Sequence, residues 1–113
     1  MSLRKEGYLL RLFIGEDEKH EGKPLYEWIV HQADKNDLAG VTVFRGIMGY
    51  GASSRSIKTQ KIEVLAEGLP VVVEIVDEKE KLEQFMEYID DKINAGLATL
   101  EKAEIRIYRG KKA

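Results

Sequence analysis

The chain has 113 residues, 34% of them charged and 43% hydrophobic, with a net charge of −2 and no cysteine. That length suits a single domain spanning residues 1–113, able to bury a modest core without metal or disulfide. The charge balance gives no global pull towards nucleic acid or anionic lipid, and the missing cysteines exclude disulfides, thiolate nucleophiles and cysteine metal sites.

Tyr8 to Ile14 is almost continuously apolar between Gly7 and Gly15, which predicts a well-buried strand. The residues before it, Met1 to Glu6, lack the apolar core of a secretory signal. Glu16 to Lys23 reads as a polar loop, and Pro24 suits the first position of a helix, where its missing N–H has no partner to lose. Leu25, Trp28, Ile29 and Ala33 then recur at helical spacing, and Asn36-Asp37 is a plausible stop. Val41 to Ile47 is a β-branched strand. Residues 46–60 are rich in Gly and Ser and read as a loop, with room for a ragged hairpin arm.

Ile62 to Leu65 suggests a short strand, and Leu69 to Val76 a strong one, with Pro70 near its start. Asp77 and Glu80 have the spacing of an N-cap with its capping-box partner. Leu82, Phe85, Met86, Ile89 and Ile93 form one helical face, Gly96 suits the C′ position, and Ala103 to Tyr108 reads as the last strand. No apolar run approaches the roughly 18 residues that span a membrane, so membrane insertion is not expected, and without cysteine no oxidising compartment is required, which favours a cytoplasmic setting. Two strand–helix–strand units with right-handed crossovers predict an α+β, ferredoxin-like βαββαβ domain: a four-stranded antiparallel sheet with both helices on one face.

Such a sheet is apolar towards its helices and polar on the other side. Here the second side is half apolar, carrying Leu9, Phe13, Phe44, Val72, Val76 and Tyr108 among Arg11, Glu74, Glu104 and Arg106. Scattered exposed aliphatics are ordinary, but a contiguous group of this kind favours self-association. The expected contact residues are Leu9, Arg11, Phe13, Phe44, Val72, Glu74, Arg106 and Tyr108, with the charges fixing the register. The apolar face fits a dimer or a trimer.

The loop carries the chemistry. Between Asp37 and Glu63 there is no acidic residue, but there are four basic ones: Arg45, Arg55, Lys58 and Lys61. Gly46, Gly49 and Gly51 let backbone N–H groups approach a ligand, and Ser53, Ser54 and Ser56 supply hydroxyls, which together are the parts of an anion site. The spacing matches neither a P-loop nor a dinucleotide fingerprint, and the same composition suits a plain flexible arm. Glu16-Asp17-Glu18 with His20 and Glu21 lacks metal-ligand spacing and reads as a solvated acidic loop. His31 reads as an ordinary helix histidine and Trp28 as core. No Ser–His–Asp set or outstanding carboxylate pair is present, so an enzyme is not expected.

Ile14-Gly15-Glu16-Asp17, His20-x-Gly22-Lys23-Pro24-Leu25-Tyr26-Glu27, the run from Gly40 to Gly51, and Leu69 to Asp77 resemble the uncharacterised family numbered 190 among domains of unknown function, also called uncharacterised protein family 0166. The likeness runs from about Tyr8 to Tyr108. That family resembles PII signal-transduction proteins, and the resemblance implies a homotrimer with a loop between the second and third strands. It also implies an adenine nucleotide or other small anion in clefts between subunits. The loop, residues 50–60, would touch a partner enzyme or membrane transporter. By position Arg45, Gly46, Gly49, Gly51, Arg55 and Lys58 would bind the ligand, and Tyr50, Ser53, Ser54 and Ser56 would form the partner loop. Two departures from PII stand out: the loop is shorter, and the connection Asn94 to Thr99 is too short for the PII phosphate loop. The alternative is a ligand-independent adaptor docking on a transporter or enzyme.

Overall fold

The computed structural model describes residues 6–60 and 68–111. The short strand expected at Ile62 to Leu65, and Lys61, lie outside the described residues. The main elements are β1 (Glu6–Gly15), α1 (Leu25–Lys35), β2 (Val41–Arg45), β3 (Pro70–Asp77), α2 (Lys79–Ile89) and β4 (Leu97–Glu104). They form one antiparallel sheet in the order β4-β1-β3-β2, the predicted ferredoxin-like plan. No helix among the described residues is long and apolar enough to cross a membrane.

Alternation along β1 and β3 divides the sheet into two faces. Leu10, Leu12 and Ile14 of β1 join Val71, Val73 and Ile75 of β3 in one buried cluster. Leu25, Ile29 and Ala33 of α1 and Leu82, Phe85 and Ile89 of α2 complete it, so both helices cover the same face. Trp28 lies on the flank of this core, stacked on Tyr88 with ring centroids 6.2 Å apart.

The first helix ends as its sequence predicts. Asn36 is its C-cap and Asp37 is left-handed, at φ 60°. The Asp37 amide donates to the Asp34 carbonyl and the Leu38 amide to the Ala33 carbonyl, both at 3.1 Å. This is a Schellman motif, and Leu38 packs against the core beside it.

Several boundaries differ from expectation, among them the end of β2, at Arg45 instead of Ile47. Pro24 is the N-cap of α1, one residue before the helix, and the Leu25 amide donates to the Glu18 carbonyl at 2.8 Å. The expected polar loop holds a tight hairpin pairing Lys19-His20 with Lys23-Pro24, because Glu21 and Gly22 both adopt positive φ. Asp77 closes β3 and Glu78 is the N-cap of α2, with no side-chain capping bond, so there is no capping box with Glu80.

The last strand starts six residues earlier than expected, at Leu97 instead of Ala103. Among the described residues its ladder with β1 runs as far as Glu104 opposite Glu6, and Ile105 to Tyr108 lies beyond it. Gly96 accordingly lies at the start of β4 against the Phe13 carbonyl; α2 ends at Ile89 and gives way to a 3-10 turn at Asp90–Lys92.

Asp77 is fully buried, and it staples two loops together. One carboxylate oxygen accepts the Glu78 amide at 2.6 Å and the other the Ala39 amide at 2.8 Å, with Lys81 Nζ 3.5 Å away. The Ala39 and Glu78 amides are partly buried, and leaving such donors without acceptors costs about 1–3 kcal/mol each at most. Asp77→Ala is therefore expected to lower unfolding free energy by about 2–4 kcal/mol, and Asp77→Asn by less, in denaturant titrations. A loss below about 0.5 kcal/mol for Asp77→Ala would show that the staple carries no load.

Candidate functional site

The loop between β2 and β3 begins as a continuation of the sheet. The Gly46 amide donates to the Pro70 carbonyl at 2.7 Å, one step beyond the last paired residues, Arg45 and Val71. A Cβ at position 46 would stand 2.9 Å from Pro70 Cγ, so only glycine permits this approach. The chain then forms a short hairpin arm in which Met48 pairs with Thr59 and Gly49 with Lys58, closed by the Gln60 amide on the Ile47 carbonyl at 2.9 Å.

The tip of the arm folds back on the body of the domain. The Gly15 amide, at the end of β1, donates to Ser53 Oγ at 3.0 Å. Within the tip the Gly51 amide donates to the Ser54 carbonyl at 2.8 Å, and the Ser54 hydroxyl lies 3.3 Å from the Ser56 carbonyl. The Arg55 guanidinium sits over the Tyr50 ring, 5.1 Å from its centroid.

Between tip and body lies a hollow of about 150 Å³. Phe13, Pro70 and Leu97 form its apolar wall, while Ser53, Ser54 and Lys58 supply polar groups. Gly49 and Gly51 also line it, and at Gly51 nothing stands within 4 Å of where a Cβ would be. An apolar pocket with a few convergent polar groups is the usual form of a small-molecule site.

Of the six residues predicted to bind a ligand, the structure brings Gly49, Gly51 and Lys58 to this hollow. Gly46 does not line it, and its amide is already bonded to Pro70. Arg45 is held by Glu16, with Nη2 3.1 Å from Oε1 and Nε on the other carboxylate oxygen. Arg55 is turned onto Tyr50, outside the wall. Of the predicted partner loop, Tyr50, Ser53 and Ser54 line the hollow, and Ser56 stays exposed at the tip.

The apolar wall is not singled out as a ligand site by the sequence. Phe13 reads as a sheet-face residue, Pro70 as a strand start, and Leu97 falls before the predicted last strand. Only the fold carries all three to one place.

Six of the predicted association residues share the face of the sheet opposite the helices: Leu9, Arg11, Phe13, Phe44, Val72 and Glu74. Phe13 is 37% exposed and Phe44 52%. Arg106 and Tyr108 lie beyond the end of β4, whose residues on this face are Leu97, Thr99, Glu101 and Ala103, opposite Phe13, Arg11, Leu9 and Gly7, so Glu104 falls on the other side. Arg11 Nε donates to Glu74 Oε2 at 2.8 Å and its Nη1 to Glu101. The hydrogen bond to Glu74 raises the guanidinium pKa above its ordinary value.

Neither histidine reaches the hollow. His20 packs against Trp28 at a tilt, ring centroids 4.5 Å apart, with Nε2 3.3 Å from Glu21. His31 is exposed on α1. Among the described residues no three His, Asp or Glu side chains are gathered as metal ligands.

Residues 7–105 match the family DUF190, described as "Uncharacterized ACR, COG1993". The chain belongs to DUF190. A UPF0166 protein of Aquifex aeolicus is 50% identical over 97 residues, covering 86% of this chain and 90% of that one. The UPF0166 protein of Methanocaldococcus jannaschii is 30% identical over 103 residues, covering 90% and 92%.

Among solved structures, the DUF190 chain is similar to CPII, a nitrogen regulatory PII-like protein from Thiomonas intermedia K12, bound to ADP, AMP and bicarbonate. The TM-score is 0.66 at 12% identity, with 88% of each chain covered. A putative PII-like signaling protein from Thermus thermophilus gives 0.62 at 13% identity, covering 88% of this chain and 89% of that one. At such identities the likeness carries the fold, which is PII-like, as the sequence resemblance implies.

The Ser53–Gly15 hydrogen bond is the direct polar tie between tip and β1 in this DUF190 chain. Ser53→Ala is expected to speed amide hydrogen exchange at Gly15 and across residues 50–57, corresponding to a local loss of about 1 kcal/mol, with the core strands unchanged. Unchanged exchange at Gly15 would show that the bond does not hold the tip.

Proposed function

We propose that this chain is a PII-like regulatory subunit, a single domain over residues 1–113 that binds a small anionic ligand beneath its 46–60 arm and passes that event to a partner protein. The observation that carries the reading is the placement of the hollow. It lies between the arm tip and the end of β1, and its wall includes the serine that pins the tip. A ligand entering there must meet Ser53 and the glycines of the arm, so occupancy and arm conformation are linked.

The volume restricts what enters. About 150 Å³ is the size of a cavity that admits one benzene-sized molecule. A bicarbonate ion or one ring of a nucleotide fits that space, whereas a complete nucleotide does not. For an adenine nucleotide, the apolar wall of Phe13, Pro70 and Leu97 suits the base, and Lys58 is the cation among the described lining residues that could meet phosphate. Arg45 and Arg55 become available only if Glu16 and Tyr50 release them. The PII-like fold supports a regulatory reading over a catalytic one, and the ligands of the Thiomonas protein support this choice of probes.

Self-association through Leu9, Arg11, Phe13, Phe44, Val72 and Glu74 is part of the same proposal, with a trimer as the assembly. Phe13 and Leu97 line the hollow and also stand on the open sheet face, so a neighbouring subunit would wall the hollow's outer side. There the rest of a nucleotide would lie. The partner is an enzyme or membrane transporter contacted by residues 50–60.

A second reading rests on the tip itself. Its internal bonds and the Arg55–Tyr50 stack already give it a definite shape without ligand, as a ligand-independent adaptor would need.

Native mass spectrometry with ADP, AMP and bicarbonate separates the two. The sensor reading expects an oligomer carrying up to one ligand per subunit, and Lys58→Ala weakening nucleotide binding at least tenfold, about 1.4 kcal/mol, with the subunit number unchanged. An oligomer that takes up none of the three would transfer the case to the adaptor.

A further inference from the structure

The hollow beneath the arm adjoins a second one. This second hollow, of about 410 Å³, lies between the end of α2 and the start of β4. Ile14, Ala52 and Leu97 line both, so the two meet at these residues and the arm tip reaches each of them.

The second hollow is shaped by the way the chain returns from α2. The helix ends at Ile89, a 3-10 turn at Asp90–Lys92 follows, and Gly96 then lies against β1. A Cβ at position 96 would stand 2.9 Å from both the Phe13 carbonyl oxygen and Ile14 Cγ2, so a side chain there would push the connection off the strand. With the connection seated in this way, Met86 and Ile93 form the apolar wall on the helix side.

The two hollows carry opposite charge. Among the described residues Lys58 is the ionic group lining the first, and Asp90 the one lining the second, where Asn94 adds an amide. Both Asp90 and Asn94 are exposed, so a ligand can reach them from solvent. Asp91 is paired with Lys92 at 3.1 Å, whereas Asp90 has no ion-pair partner among the described residues. No described Lys or Arg lines the second hollow, so an anion placed there would meet a carboxylate with no cation beside it. An amine placed there finds a charged acceptor in Asp90 and a carbonyl acceptor in the Asn94 amide.

We propose that the two hollows are one site, and that its ligand carries an anionic group at one end and an amine, free or on a ring, at the other. The anion lies at Lys58, the apolar middle passes Ile14, Leu97 and Ala52, and the amine donates to Asp90 with Asn94 beside it. This rests on the ligand site proposed above and adds the group that selects among anions. A phosphate or carboxylate compound without an amine leaves Asp90 unanswered under the arm, and binds more weakly for that reason.

Isothermal titration calorimetry on the full-length chain tests this with two nucleotides that differ in the amine alone. One is AMP; the other is purine riboside 5′-monophosphate, which has hydrogen in place of the 6-amino group. The wild type is expected to bind AMP about tenfold more tightly or better. Asp90→Ala is expected to bring the two within about threefold of each other, chiefly by weakening AMP. Asp91→Ala removes a neighbouring carboxylate that does not line the hollow, and is expected to keep the preference; circular dichroism checks the fold of each variant. Equal affinities in the wild type overturn the amine contact, as does a preference that survives Asp90→Ala or is lost equally in Asp91→Ala. Each of these leaves the anion site under the arm standing. Uptake of bicarbonate but of neither nucleotide overturns the amine contact in the same way. A chain that binds none of the three overturns both.

Discussion

β1 is paired along its length on both sides, to β3 from Tyr8 to Gly15 and to β4 from Glu6 to Phe13. Everything else depends on its register. Its even-numbered residues from Leu10 to Ile14 are held in the core, so its odd-numbered ones must face away from the helices. A slip of one residue would exchange the two sets and bury Arg11 under the helices. The core thus determines which side chains are left for the open face, and the same register places Gly7 against Ile105 and Gly15 under the arm. Both ends of one strand receive a segment from elsewhere in the chain, each through a position without a side chain.

Much of this is legible in the sequence, and the failures have identifiable causes. β1 and β3 are legible as short apolar runs bounded by turn residues and both helices by their apolar period, and Asn36-Asp37 announces the end of α1 by its tolerance of left-handed backbone. β4 is misplaced by the sequence pattern because Ile105 to Tyr108 alternates better than Leu97 to Glu104 does. Pairing settles the matter: only the weaker segment can lie beside β1 when the chain arrives from Gly96. That error moves Leu97 and Glu101 out of view, and with them part of the hollow and the second carboxylate of the Arg11 cluster. Asp77 shows the other limit. Its spacing to Glu80 resembles a capping box, but its second bond goes to Ala39, distant in sequence, and no local pattern records that.

The arm is legible in composition but not in allocation. Counting Arg45, Arg55 and Lys58 as three equivalent cations overlooks what the fold offers each of them. Glu16 lies across from Arg45 because the end of β1 and the end of β2 are at the same end of the sheet. Tyr50 meets Arg55 because the tip is a tight turn. Lys58 escapes both and remains beside the hollow. Of these three cations two are therefore engaged in this state, and an anion that draws on Arg45 must first compete with a two-pronged ion pair.

Phe13 and Leu97 are direct neighbours across the β1–β4 ladder, and both line the hollow under the arm. They also face the side of the sheet on which association is proposed. A ligand in the hollow and a second copy on the open face would then contact the same two side chains. Two events that share contacts have a coupling free energy, and the coupling acts equally in both directions: whatever a ligand does to assembly, assembly does to ligand affinity. In a ring of such subunits each hollow would sense both its own arm and its neighbour. The chain needs no long-range pathway for this, since the arm tip, the hollow and the open face meet within the last three residues of one strand.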